Sequence, residues 1–148
     1  MTTSTTPATS TTPATGATGG RRWVAIDHVQ LAIPSGGEDE ARRFFVDVLG
    51  FEEIAKPPSM AARGGAWFGA GDVQVHVGVE DPFTPARKAH PALAVVDLAG
   101  LVEEAGLEAT WDDEIAGVVR CHVADPFGNR IELVDAGTAR LAPGRGGA

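Results

Sequence analysis

A strand pattern that begins with histidine occurs twice in this chain. Residues 28–33 read HVQLAI and residues 90–95 read HPALAV, so both copies have the form H-x-x-L-A-[Ile/Val]. Gly50 and Gly106, each placed to end a predicted helix, recur in the same order behind the two histidines. An internal repeat constrains a fold strongly, because each copy is expected to form the same supersecondary unit. The chain is therefore predicted to contain two tandem modules of one design.

Composition separates the predicted domain from its two ends. Residues 1–20 consist almost entirely of Thr, Ser, Ala, Pro and Gly, and residues 137–148 are rich in Gly, Ala and Pro, so both are predicted to be flexible tails. Residues 21–136 have a length that suits one domain. Module one is expected at about 23–80 and module two at about 88–136.

Charge and hydropathy exclude several classes of function. The net charge of −8 disfavours a general nucleic-acid grip, which needs clustered Lys and Arg. No apolar run approaches the ~20 residues of a membrane span, and no secretory signal pattern is present. The single cysteine, Cys121, cannot form an internal disulfide and is expected in the core of a strand. These features predict a cytoplasmic protein with a small-molecule substrate or ligand, and no nucleic-acid or membrane partner.

Periodicity predicts the same order of elements in both modules. A possible capping box at Ser35 and Glu38 opens a helix that runs to Leu49, and Asp97 caps a helix that runs to Ala105. Alternating apolar residues predict eight strands, at 23–33, 51–56, 66–70, 73–79, 90–96, 107–111, 118–124 and 130–135. The predicted fold class is α+β, with two βαβββ modules that form a curved mixed sheet, a concave metal or substrate cavity, and helices outside.

Strand alternation collects polar side chains on the concave face. The valines and leucines of the fourth and eighth strands point toward the helices, so the residues between them point into the cavity. His28, His76, His90 and Glu132 share that face and are the predicted metal ligands. Three imidazoles and a carboxylate suit one divalent ion, either Zn, Fe, Mn, Ni or Co. His76 and Glu132 are also predicted to be catalytic, with His76 as a fourth ligand or as the base that moves a proton.

Five further residues are predicted to contact substrate. Arg63 and Arg120 would orient an anionic group, since guanidinium geometry suits anions. Trp67 is expected to face inward, and Gln30 shares the cavity face of the first strand with His28. His122 shares a strand face with Arg120 and could supply a proton.

Several motifs together resemble the vicinal oxygen chelate superfamily over about residues 23–135. They are Ile26-Asp27-His28-Val29, Phe44-Phe45-x-x-x-Leu49-Gly50-Phe51, Val75-His76-Val77 and Asp125-Pro126-x-Gly128-Asn129-x-Ile131-Glu132-Leu133. The resemblance implies paired βαβββ modules, homodimers, and a divalent metal that chelates neighbouring substrate oxygens. It places ligands at His28, His90 and Glu132, and in glyoxalase I also at the position of His76.

The activity remains open between members of that superfamily. Glyoxalase I resemblance implies a carboxylate where this chain has His76, and extradiol dioxygenases commonly use a tyrosine, which this chain lacks. Fosfomycin-type thiol transfer would need a cationic pocket. The sequence therefore predicts a metal-dependent enzyme of lyase, isomerase or dioxygenase type that acts on neighbouring oxygens. The alternative is a non-catalytic protein that binds a small molecule or antibiotic, as bleomycin-resistance proteins do.

Overall fold

The computed structural model describes residues 22–139, so the predicted tail at 1–20 and all but the first three residues of the predicted tail at 137–148 lie outside the described residues. Module one contains β1 (Val29–Ile33), α1 (Glu38–Arg42) with a π-helical continuation (Arg43–Val48), β2 (Glu52–Ile54), α2 (Pro58–Ala61), β3 (Ala66–Ala70) and β4 (Val73–Val79). Module two contains β5 (Ala92–Val95), α3 (Leu98–Glu104), β6 (Thr110–Asp112), β7 (Arg120–Ala124) and β8 (Arg130–Asp135). Within the described range, no helix has the length and apolarity that a bilayer crossing requires.

The strands hydrogen bond as two four-stranded mixed sheets, one for each module. Their orders are β1-β4-β3-β2 and β5-β8-β7-β6. In each sheet the first strand runs parallel to the fourth, and the remaining pairs are antiparallel. The predicted α+β fold of tandem βαβββ modules is confirmed, although the strands form one sheet in each module.

One continuous core lies under both sheets. Alternation sends every second residue of the central strands into it, for example Val75 and Val77 from β4 and Ile131 and Leu133 from β8. Cys121, on β7, is fully buried in the same cluster, as predicted, and burial raises the pKa of its thiol. Since the core takes one face of each strand, the residues between are left for the opposite face.

The closing turn of module two ties the modules together. Asn129 is fully buried, and its side-chain amide donates to the Ala32 carbonyl of β1 at 2.8 Å and to Asp125 at 2.7 Å. Its side-chain oxygen accepts from the backbone N–H of Ala86, between the modules, at 2.9 Å. The Asp125-to-Asn129 turn joins β7 to β8, and its side chains hold module one, module two and their connection in one arrangement.

Several local elements differ from the sequence predictions. The strands β2, β5 and β7 are shorter than predicted, and β6 begins three residues later. The first strand begins at Val29, later than predicted, and its parallel register, with Val29 opposite Val75, places residues 23–26 before the first residue of β4, where no strand remains to pair. The predicted capping box does not form: α1 has no side-chain cap, and Glu38 instead accepts a hydrogen bond from the Gly65 N–H at 2.9 Å. The short helix α2 was not predicted, since Pro57 and Pro58 were assigned only to a break. By contrast, Asp97 caps α3 as predicted, accepting from the Gly100 N–H.

Candidate metal centre

Strand pairing places three donor residues of module two side by side. Glu132 lies on the central strand β8, between the buried Ile131 and Leu133, so its carboxylate points away from the core. His122 on β7 is directly opposite Glu132 in the antiparallel register. His90 precedes β5, which pairs with β8 on the other side. Three neighbouring strands therefore deliver two imidazoles and one carboxylate to the same face.

The donor atoms of these side chains converge. His90 Nε2 is 3.1 Å from Glu132 Oε2, and His122 Nε2 is 3.9 Å from the same oxygen. One ligand atom from each of the three residues lies within 4.8 Å of the others. The other nitrogen of His90, Nδ1, is 2.7 Å from the backbone carbonyl oxygen of Lys88, which fixes the orientation of the ring. We call His90, His122 and Glu132 the donor cluster.

Arg120 restrains the carboxylate of the donor cluster. Its Nη1 donates to Glu132 Oε1 at 3.1 Å, and its Nη2 donates to Asp112 Oδ2 at 2.7 Å. Both carboxylates and the guanidinium are largely shielded from solvent. Asp112 belongs to an acidic run, Asp112-Asp113-Glu114, that by composition alone would be expected on a solvated surface, but the β6–β7 register sets it opposite Arg120.

The same contacts shift the ionisation of the cluster. Desolvation opposes ionisation of Glu132, but hydrogen bonds from Arg120 and His90 outweigh it and hold the pKa of this carboxyl below its ordinary value. Burial lowers the pKa of His122, although the Glu132 carboxylate works in the opposite direction. At neutral pH the cluster therefore combines a carboxylate with an imidazole that favours its neutral form.

The donor set fits a divalent metal ion. Two nitrogens and a carboxylate oxygen suit Zn and the neighbouring borderline metals. Ligands about 2.1 Å from a tetrahedral zinc lie roughly 3.4 Å apart, and the two separations from Glu132 Oε2, 3.1 and 3.9 Å, bracket that value. A hydrogen bond from the second histidine nitrogen to a backbone carbonyl, as at His90, is the usual support of a metal ligand.

Module one carries a stack of rings at the corresponding place. His76 on β4 is 5% exposed and lies between Trp67 and His28, with ring centroids 4.3 and 4.1 Å away. His28 Nδ1 is 2.7 Å from Asp27 Oδ1. Within residues 22–139, His76 Nε2 is a buried atom without a hydrogen-bond partner. Burial first, and then the charge of a protonated His28, lower the pKa of His76. We call Trp67, His76 and His28 the ring stack.

The remaining sequence candidates fall in different places. Gln30 is exposed on β1 and pairs in register with His76, while Arg63 is exposed in the turn after α2 and joins neither group. Among the residues the structure describes, only the donor cluster brings three His, Cys, Asp or Glu ligand atoms within 4.8 Å. The four predicted ligands are thus divided, with His28 and His76 in the ring stack and His90 and Glu132 in the donor cluster.

Open pockets adjoin the donor cluster. One, of about 390 Å³, is lined by His122 together with Arg87, Arg130 and Thr110. Another, of about 430 Å³, is lined by Arg120 and Glu132 together with Ile115, Val118 and Val134. Neither Arg87 nor Arg130 is among the predicted substrate contacts, although alternation along β8 places Arg130 on the same face as Glu132.

Several solved structures are similar to this chain. No protein-family model and no curated protein sequence matches the chain. A protein from Bacillus anthracis described as a glyoxalase family member is 44% identical, over 78% of this chain and 98% of that chain, with a TM-score of 0.75. Lactoylglutathione lyase from Agrobacterium tumefaciens is 18% identical over 82% of this chain and 100% of its own, with a TM-score of 0.58. The fosfomycin resistance protein FosX from Listeria monocytogenes is 13% identical over 76% of this chain and 93% of its own, also with a TM-score of 0.58.

Proposed function

We propose a function from the premise that this chain belongs to the glyoxalase family of the vicinal oxygen chelate superfamily. The proposal is a metal-dependent, glyoxalase-like enzyme that acts on a small substrate with two neighbouring oxygens. Lyase or isomerase chemistry is favoured over dioxygenase chemistry, because the described residues offer imidazoles for proton transfer and the chain has no tyrosine.

The observation that carries the proposal is the convergence of His90 and Glu132 at 3.1 Å. Both are ligand positions in the superfamily resemblance. A non-catalytic binding protein has no need for a carboxylate that an arginine holds against an imidazole. The cost of desolvating these groups is more readily explained if they bind a cation.

The chain's own residues supply the remaining functions. His90 and Glu132 would hold the metal together with His28, and a divalent metal, when bound, supplies a Lewis acid for the two substrate oxygens. His76 Nε2 is unpartnered, and its lowered pKa favours the neutral form, so it can accept a proton from substrate. Trp67 packs flat against His76 and fixes the direction of that nitrogen. We keep Gln30 and Arg63 as candidate substrate contacts.

Arginines beside the donor cluster favour an anionic substrate. Arg87 and Arg130 line the pocket next to His122, and Arg120 lies beside Glu132. Guanidinium groups bind carboxylate and phosphonate oxygens well, and a net charge of −8 would otherwise repel such a ligand. The proposed substrate therefore carries an acidic group beyond its two neighbouring oxygens.

A second copy of this chain would bring the separated ligands together. Trp23, Val24 and Ile26 are 78–89% exposed immediately before His28, and Val96 is 84% exposed immediately after β5. Both apolar segments flank edge strands, which are open to pairing. We propose a homodimer in which the ring stack of one chain faces the donor cluster of the other. The free thiol of Cys121 agrees with the proposed cytoplasmic location.

Metal analysis of protein purified without chelator tests the proposal. We expect about one divalent ion per chain, lost in His90→Gln and Glu132→Gln but retained in Glu103→Gln, which changes an exposed carboxylate on α3. The reconstituted protein is then assayed with a thiohemiacetal, a catechol and fosfomycin. A folded wild-type protein that binds no Zn, Mn, Ni, Co or Fe would contradict the proposal, and ligand binding without metal would favour the non-catalytic alternative.

The dimer has a separate test. Sedimentation velocity across a range of concentrations should show a dimer that Trp23→Ser and Ile26→Ser weaken. A chain that stays monomeric at the highest concentration, yet turns over substrate, would contradict the shared arrangement.

A further inference from the structure

We propose that His122 is itself a metal ligand, so that in the monomer module two holds the ion with His90, His122 and Glu132, before His28 of a second copy reaches the ion in the dimer. This inference rests on the proposed metal-dependent function and identifies its ligands more closely. The superfamily resemblance places ligands on the first, fourth, fifth and eighth strands, whereas His122 lies on the seventh.

The pairing of β7 with β8 places His122 beside Glu132. Its pairing with Glu132 across β7 and β8 is direct, and directly opposed side chains on one face are neighbours. The imidazoles of His122 and His90 meet edge to face, with centroids 5.3 Å apart and planes at 87°. This orientation lets both rings direct Nε2 toward Glu132 Oε2 without overlapping each other.

Hydrogen bonds around the cluster hold the converging atoms in position. The Lys88 carbonyl oxygen lies against His90 Nδ1, so Nε2 is the nitrogen that faces the carboxylate. Arg120 donates to Glu132 Oε1, so Oε2 is the oxygen that faces the imidazoles. The contact between His90 Nε2 and Glu132 Oε2 is a hydrogen bond when Nε2 carries a proton, and a divalent ion bound among the three side chains would displace that proton. Both His90 and Glu132 therefore already have the hydrogen bonds that would hold them in place as metal ligands.

The ring stack of module one provides an internal control. Trp67 lies opposite His76 in the register in which His122 lies opposite Glu132. Module one has an indole where module two has an imidazole, so this position supplies a donor atom in only one module. Two nitrogens and one oxygen suit Zn, Fe(II), Mn, Co or Ni and leave coordination positions for substrate beside the 390 Å³ pocket.

The test is Co(II) binding to the full chain, stripped of metal and kept dilute enough to remain monomeric. Calorimetry should show that His122→Gln and His122→Asn weaken Co(II) binding by at least about tenfold, whereas His28→Gln changes it less than about twofold. Glu103→Gln, which changes an exposed carboxylate on α3 of the same module, is the control and should bind as wild type does. Circular dichroism confirms that each variant is folded.

Copper(II) bound in place of cobalt gives a readout independent of affinity. Electron paramagnetic resonance should show hyperfine coupling to two imidazole nitrogens in wild type and to one in either His122 variant. Unchanged coupling and affinity in both His122 variants, with binding lost in His28→Gln, would overturn the inference but leave the proposed function standing. Failure of wild type to bind any of the metals would overturn both.

Discussion

The two modules use the same strand positions for different chemistry. At the register position where module two pairs His122 with Glu132, module one pairs Trp67 with His76. The first arrangement gathers polar donors that an arginine restrains, and the second gathers aromatic rings around a nitrogen that lacks a partner. The residues that point to the core, by contrast, are apolar in both modules. The two modules therefore share one pattern of buried residues but differ in the residues on the opposite face of the sheet.

A glycine explains why module one has no counterpart of Arg120. Gly65 lies two residues before Trp67, as Arg120 lies two residues before His122. Its φ is +77°, and a Cβ at this position would lie 2.1 Å from the Val77 carbonyl oxygen. Backbone geometry therefore excludes a side chain here, and no substitution at this site can give His76 the support that Glu132 receives.

The largest expected difference between the modules lies in their cores. Phe45 and Leu101 each precede a helix-ending glycine by five residues, but Phe45 is fully buried against Phe44, Phe51 and Phe68, whereas Leu101 is half-buried. Phe45→Ala should lower the free energy of unfolding by about 3–5 kcal/mol, and Leu101→Ala by about 1–2 kcal/mol. Urea denaturation measures both. Equal losses would show that the aromatic cluster adds no stability to module one.

The second largest difference is expected between a turn of module two and a turn of module one, in how much each contributes to the free energy of unfolding. Asn129→Ala leaves Ala86 N–H and Ala32 C=O without their partners and should lower the free energy of unfolding by about 2–4 kcal/mol. Asp72→Ala alters the exposed β3–β4 turn of module one and should change it by less than about 0.5 kcal/mol. If thermal melts of the two variants coincide, Asn129 does not tie the modules together.

A smaller effect is expected where each module pairs one arginine with two carboxylates. Arg120→Ala frees the Glu132 carboxylate to rotate and should weaken Co(II) binding by about 10–100-fold. Arg42 in module one pairs with Asp39 and Glu53 on the surface, so Arg42→Ala should leave Co(II) binding within about twofold. Calorimetric titration distinguishes these results. A similar Co(II) affinity in both variants would show that Arg120 supports metal binding no more than the surface residue Arg42 does.

The smallest effect concerns acid stability without metal. Burial lowers the pKa of both His76 and His122, so the unfolded chain binds protons that the folded chain resists. The free energy of unfolding should therefore fall as pH drops below about 6.5, the ordinary histidine value. At His76 the charge of His28 also lowers the pKa while Asp27 raises it, and at His122 Glu132 raises the pKa while Arg130 lowers it. His76→Gln and His122→Gln should each flatten the pH dependence, as measured by urea titrations in chelator, and a pH dependence unchanged in both variants would contradict this assignment.

Much of the fold could be predicted from sequence because burial leaves a local pattern. β3, β4 and β8 match their predicted bounds, since alternation and flanking turns mark both ends of each. β1 was predicted six residues too long, because composition at residues 23–28 does not reveal where its partner strand ends. The polar faces followed from alternation as well. Contacts such as Asp112 with Arg120 depend on register between strands, which a single sequence does not display.

The rate at which the Cys121 thiol is labelled can report how often β7 opens. The chain has this one thiol, which is fully buried on β7 between Arg120 and His122. A reagent that modifies thiols can reach it only when β7 opens, so its labelling rate counts the openings of the strand that carries His122. Slower labelling in the presence of Co(II) would show that the bound ion stabilises β7, and the measurement needs no substitution in the chain.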